Sequence, residues 1–309
     1  MPPDAPPSTI TPPTDTEVEP ILTVHPVPGV AKPDPILVIE GLQRSFGGLV
    51  AVDVDHLEIE RGIVTSLIGP NGAGKTTLFN LLTGFDRADR GRWSFDGRPV
   101  TSPAPDQLAR QGMIRTFQLT KSLAKLPVIQ NVLLGAPNQV GERLWAAPFR
   151  SAWQAQEQAN IHKAEQLLDR FNLAHMRDEL AGTLSGGQRK LLEVARALMT
   201  DPKLIMLDEP MAGVNPALAQ SLMGHVTALA VDGVSVVFIE HDMDVVTGIS
   251  DWVVVLAQGK VIAEGGPWKV IHDDVVIDAY LGRRDRATQN GGEAPPVTGP
   301  DAVDEGSGA

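Results

Sequence analysis

The chain has 309 residues, 42% hydrophobic, 21% charged and 5% aromatic, with no cysteine and a formal net charge of -12. This length exceeds one average domain without requiring two, and a core of this size buries most of its apolar surface. The acidic balance argues against nucleic acid as the main partner and against a basic patch lying on anionic lipid, and the missing cysteine excludes disulfides, thiol catalysis and Cys-ligated zinc while suiting a reducing cytoplasm.

The opening Met1–Ile10 has neither a basic n-region nor an apolar h-region, so no secretory signal is expected. Residues 1–35 are rich in Pro, Thr and acids without helical or strand period, and read as a disordered arm of polyproline character. The body is expected over 36–283, without internal repeats. Ile36–Glu40 and Val52–Ile59 read as strands, and Ile63–Ile68 as a strand running into a glycine-rich loop and the helix Thr76–Thr83. A hairpin is predicted from Trp93 to Val100 around Asp96-Gly97. Residues 105–111 and much of 151–200 read as helical, and Lys203–Leu207 and Val234–Ile239 as strands buried on both faces. A second hairpin, Trp252–Leu256 with Lys260–Ala263, ends the sheet, and residues 284–309 read as an acidic disordered tail. The alternation predicts an α/β fold with helices on both faces of a largely parallel sheet, its early strands more antiparallel. The run Trp252–Ala257 is among the longest apolar stretches and falls far short of the ~20 residues that span a bilayer. A transport role therefore needs other chains for the membrane path.

Gly69-Pro70-Asn71-Gly72-Ala73-Gly74-Lys75-Thr76 fits the G-x-x-x-x-G-K-[ST] phosphate loop and sits between a strand and a helix, the context that loop needs. Its glycines let backbone amides converge on phosphate oxygens, Lys75 is placed to reach the β- and γ-phosphates, and Thr76 to ligate Mg²⁺. The expected nucleotide-contacting set continues to Thr77. Leu204–Leu207 is an apolar strand ending in Asp208 and Glu209. Acids at the carboxyl end of a buried strand point into the crevice where such sheets bind ligands, which suits Asp208 to Mg²⁺ and Glu209 to the attacking water. Leu184-Ser185-Gly186-Gly187-Gln188 opens a further helix. Ser185 with Gln188 forms a plain capping box, but two glycines in a first turn cost about 1 kcal/mol each relative to Ala. Helix-start amides suit an anion, and the γ-phosphate of ATP is the expected one.

The phosphate loop, the LSGGQ segment and the LIMLDEP strand together resemble the ABC ATPase family over essentially the whole body. The resemblance implies a P-loop ABC ATPase fold: a largely parallel core sheet, an antiparallel β region and an inserted helical subdomain at about 103–185. It further implies that Phe46 stacks on adenine, that Gln118 contacts Mg²⁺ and water and senses a permease, and that His241 contacts the γ-phosphate. Without it, Phe46 reads as core, Gln118 as surface and His241 as structural. The segment 212–216 resembles the D-loop, with Asn215 where many relatives carry Asp.

The segments 45–51, 114–118, 212–216, 239–243 and 279–282 resemble the ATPases of branched-chain amino acid importers, with Gln130 a departure where relatives often carry an acid. Urea importers and lipopolysaccharide-export ATPases share much of this pattern. The implied assembly pairs two ATPase chains, alike or different, with membrane-spanning permeases and indirectly a substrate-binding protein, on the cytoplasmic side of the membrane as a peripheral subunit. A soluble ABC ATPase acting on ribosomes or DNA fits less well, because the chain has one cassette and no long heptad segment. A nucleotide-sensing scaffold without turnover is opposed by intact Glu209 and His241.

Overall fold

The computed structural model describes residues 22, 24–101, 103–116, 124–137 and 150–281, with 150–152 described as main chain only. Two sheets organise these residues. The strands β1 (Pro35–Phe46), β2 (Leu49–Glu60), β4 (Arg90–Phe95) and β5 (Arg98–Val100) form an antiparallel sheet in the order β2-β1-β4-β5. The larger sheet runs β10-β9-β3-β8-β7-β6, built from β3 (Val64–Ile68), β6 (Met113–Arg115), β7 (Leu204–Asp208), β8 (Ser235–Ile239), β9 (Trp252–Ala257) and β10 (Lys260–Gly265). All its pairings are parallel except the β9–β10 hairpin at one edge. Asp96 and Gly97 both take positive φ, as the predicted two-residue turn demands.

The large sheet is the middle layer. Successive side chains of a strand point to opposite faces, so each parallel strand feeds two cores. Val64, Ile205, Leu207, Val236 and Phe238 face one cluster with α3 (Val128–Leu133), α4 (Arg150–Arg170), α5 (Gly186–Leu198) and α6 (Pro216–Val231). Leu67, Leu204, Met206, Val237 and Ile239 face the other, with α1 (Lys75–Leu82), α2 (Pro105–Gln111) and the antiparallel sheet. This double burial explains the near-continuous apolar runs of these strands, each fully buried side chain contributing about 1.5–3 kcal/mol. The chain ends its described part with α7 (Met243–Ile249), α8 (Pro267–Ile271) and α9 (Asp274–Leu281).

Two expectations need correcting. The arm does not stay free of the body up to residue 35. Leu22 is buried, and Lys32 is buried with its ammonium 2.6 Å from the buried Glu264 carboxylate. The same carboxylate accepts from the amides of Gly29 and Val30 and from Trp252 Nε1, while Glu58 accepts from the Lys32 amide. A buried carboxylate needs such donors, and a segment without a hydrophobic period supplies them through its backbone. The helical region is also narrower than 103–185: α2 leads into β6, an edge strand of the large sheet, and residues 171–185 run through turns and two short 3₁₀ helices, Ala174–Met176 and Ala181–Thr183. Strand β6 is three residues long, too short to show a period. Residues 284–309 and most of the arm lie outside the described residues.

Candidate functional site

The carboxyl ends of β3, β8 and β7 lie side by side, with Leu67 opposite Ile239 and Ile239 opposite Asp208. Gly69, Glu240 and Glu209 therefore leave the sheet at one level, at the edge where open parallel sheets bind ligands. The phosphate loop turns from β3 into α1 with Gly74 as a left-handed N-cap that lacks a side-chain capping bond, leaving the first amides of α1 open to an anion. Side chains are excluded where the loop meets its neighbours: a Cβ on Gly69 would lie 2.0 Å from the Leu256 carbonyl, and one on Gly74 2.2 Å from the Ala51 carbonyl. Ala73 is buried, whereas Asn71, Gly72 and Thr76 are exposed and Pro70 and Thr77 partly so. Lys75 Nζ donates to the Gly69 and Pro70 carbonyls at 2.6 and 3.1 Å, folding over its own loop. Burial pushes the Lys75 ammonium down, and the Glu209 and Asp208 carboxylates oppose that shift. The lysine and both acids thus share one electrostatic neighbourhood.

Asp208 ends β7 and is paired with Arg115, Nη2 to Oδ2 at 2.6 Å. Glu209 has φ of 46°, a left-handed backbone that costs a residue with a Cβ. Five hydrogen bonds hold that turn. The Glu209 amide donates to the Ile239 carbonyl, Lys190 Nζ donates to the carbonyls of Glu209, Pro210 and Ala212, and the Met211 amide donates to the buried Glu240 carboxylate. The His241 amide also reaches Glu240, at 3.3 Å, and its imidazole is largely exposed above the crevice floor. A cavity of about 460 Å³ flanks the acids, lined by Arg115, Thr116, Lys190, Glu193, Asp208 and Glu209 among others.

The LSGGQ segment is not beside this phosphate loop's helix: α5 packs on one face of the large sheet and α1 on the other. The capping box is present in full, Ser185 Oγ accepting from the Gln188 amide and Gln188 Oε1 from the Ser185 amide. The two glycines have different reasons. A Cβ on Gly187 would lie 1.9 Å from Leu218 Cδ2 of α6, so close helix packing requires it, whereas nothing stands within 4 Å of a Cβ on Gly186. Packing therefore accounts for Gly187 and not for Gly186. Phe46 is half exposed at the β1–β2 turn with Arg44 stacked 4.5 Å from its ring centroid, so it is not a core residue. Asn215 caps α6 by accepting from the Leu218 amide. Gln118 lies outside the described residues.

The family profile described as ABC transporter matches residues 52–212. A probable branched-chain amino acid transport ATP-binding protein LivG from Archaeoglobus fulgidus is 41% identical over 256 residues, 83% of this chain and 99% of that protein. The chain belongs to the ABC transporter family. The high-affinity branched-chain amino acid transport ATP-binding protein BraF of Pseudomonas aeruginosa is 40% identical over 250 residues, covering 80% of this chain and 98% of BraF. A crystal structure of a nucleotide-free ATP-binding cassette from an ABC transporter matches at TM-score 0.71 and 40% identity, covering 81% of this chain and all of that one. This ABC chain is an ATP-binding subunit with ATPase activity. Among its described residues no helix is long and apolar enough to cross a membrane.

Several residues of this ABC cassette escaped the sequence reading. Arg115 and Glu240 lie inside the segments 114–118 and 239–243, and only the fold brings them to the acids. Lys190 and Glu193 lie on α5, where a charged residue reads as solvated surface. Tyr280 on α9 lies near Gly69, and burial pushes its phenol up, so the last described helix stands close to the phosphate loop.

Proposed function

We propose that this chain powers an ABC importer for branched-chain amino acids, working as one of two ATPase chains docked on membrane-spanning permeases at the cytoplasmic side. The cargo assignment is supported by the LivG and BraF likenesses, which cover nearly the full length of those proteins. A substrate-binding protein would deliver the cargo, and nucleic acid has no part. The observation that carries the two-chain reading is the placement of Gly186 on the opposite face of the sheet from α1. A bare helix start so placed contributes to a site by facing the ATP of a second chain.

In this reading the loop 69–77, through its amides other than at Pro70, and Lys75 hold the phosphates, Phe46 stacks on adenine, and Ser185, Gly186, Gly187 and Gln188 of the facing chain close over the γ-phosphate. Glu209 orients the attacking water, whose oxygen bonds to the γ-phosphorus as the bond to the ADP oxygen breaks. His241 contacts the γ-phosphate from the next strand, and Gln118 carries the permease's state to the site. Mg²⁺ would be held by Thr76, Asp208 and Gln118. Hard oxygen donors at the edge of the crevice suit it. When bound it supplies charge neutralisation of the phosphates.

The test is complementation between inactive chains. Lys75→Ala disables the phosphate loop, and Gly186→Asp places a repelling charge where the structure has room for it. A mixed dimer has one site with both lesions and one with neither, so ATPase activity returns on mixing. No recovery in mixed dimers shown to form would refute the shared site. Uptake of labelled leucine by a deletion strain, restored by the wild-type gene, tests the cargo.

A further inference from the structure

We infer that Arg115 is the positioning residue for Asp208, a single guanidinium that sets the phosphate-loop helix and the metal-holding acid at a fixed separation. The inference rests on the reading of Asp208 as a metal-holding acid. Arg115 ends β6, and its side chain is 7% exposed, against 28% for Asp208. Its Nη2 donates to Asp208 Oδ2 at 2.6 Å on β7, and its Nη1 donates to Asn80 Oδ1 at 2.6 Å on α1. The guanidinium also stands 5.6 Å from the centroid of the Phe79 ring, whose side chain is fully buried. A planar fork held at two ends and against an aromatic ring has little rotational freedom, and charge-assisted bonds of this length are the strong ones.

Asn80 lies five positions beyond Lys75 on α1, and Asp208 immediately precedes Glu209. The Arg115 bridge therefore joins the helix that presents phosphate-binding amides to the strand that presents the acids. One carboxylate oxygen is committed to Arg115, which fixes the plane of the group and leaves Oδ1 for a metal or its water. Partners that orient a metal-binding group typically change metal affinity or activity by about 10- to 100-fold when removed. Charge alone acts in the opposite sense: a cation beside Asp208 weakens its attraction for Mg²⁺, and removing it would tighten binding. The guanidinium held between Asp208 and Asn80 decides for orientation.

The experiment titrates Mg²⁺ and Mn²⁺ against Arg115→Gln, Arg115→Lys, Asn80→Ala and Asp208→Asn in the full chain. Binding of an ATP analogue is followed by calorimetry with EDTA and with metal, and ATPase is measured at saturating ATP. Arg115→Gln should bind the analogue in EDTA within about 2-fold of wild type, while half-saturating Mg²⁺ rises about 10-fold or more. Arg115→Lys should show the same rise, because one ammonium cannot bridge both partners. Asn80→Ala should shift the same way by less, and it keeps the inference testable if an Arg115 variant fails to fold. Unchanged or lower half-saturating Mg²⁺ in folded Arg115 or Asn80 variants overturns the inference while a shift in Asp208→Asn upholds the metal role of Asp208. No shift in Asp208→Asn removes that role and the inference with it.

Discussion

Glu193 offers a quantitative check on the environment beside the acids. It lies on α5 and lines the cavity shared with Arg115, Lys190, Asp208 and Glu209, and its Oε1 is buried without a hydrogen-bond partner. Burial pushes its carboxyl from 4.5 up to about 7, against the pull of Arg196 and Lys190. A carboxyl raised in the folded state favours folding in its neutral form. Its contribution is complete below the unfolded value of 4.5 and is lost as pH rises through about 7. A rise of that size corresponds to about 3 kcal/mol at about 1.4 kcal/mol per pH unit, and solvent at this partly open side chain reduces it to roughly 1.5 kcal/mol. Glu193→Gln keeps the shape and cannot ionise. Denaturant unfolding of both proteins from pH 4.5 to 8.5 cancels the groups they share. The variant should gain about 1.5 kcal/mol on wild type between the two ends, most of it between pH 5 and 7.5. A difference independent of pH, or one that grows toward acid, would refute the argument.

Thr65 Oγ1 has no partner and faces a small apolar cavity between Leu37, Leu67 and Met206, so Thr65→Val should stabilise the chain by about 1 kcal/mol in the same unfolding assay. Gly74→Ala puts a Cβ into the Ala51 carbonyl, and titration with an ATP analogue should show binding lost or greatly weakened while the melting temperature falls. Lys32→Met leaves Glu264 buried with only N–H donors and should cost about 3–5 kcal/mol, whereas an intact melting temperature would show that the arm contributes nothing to the body. Glu209→Gln should bind ATP and hydrolyse it far more slowly, and near-normal single-turnover rates would remove Glu209 from water positioning.

The readable parts of the fold were those with a physical signature along the chain. Runs such as Leu204–Leu207 and Val236–Ile239 are apolar on both faces because both faces are buried, and that is visible without coordinates. The phosphate loop was legible because its spacing is itself the requirement. What remained hidden depends on tertiary pairing. Strand β6 is defined by Met113 and Ile114 lying beside Leu204 and Ile205. The docking of residues 29–32 is defined by the Glu264 carboxylate, more than 230 positions away, with Glu58. Glycine in LSGGQ points to a bare backbone, and at Gly186 no packing contact competes with that reading. At Gly187 the competing reason, close packing of α5 against Leu218 of α6, could be seen only once the two helices were in contact.

The position of Lys190 joins these elements into one device. It stands two residues beyond Gln188 on α5, and its ammonium holds the carbonyls of Glu209, Pro210 and Ala212. Burial lowers its proton affinity while Glu240, Glu193 and Glu209 raise it, as expected of a cation used to neutralise a desolvated turn. The helix that starts at Gly186 therefore grips the strained turn carrying its own chain's Glu209. In the proposed dimer that helix start faces the other chain's ATP. A displacement of α5 on closing over one nucleotide is then transmitted, through three hydrogen bonds to one side chain, to the acid that serves the second. Coupling between the two proposed sites would require this element to have two arrangements, each favoured by a different state of the nucleotide.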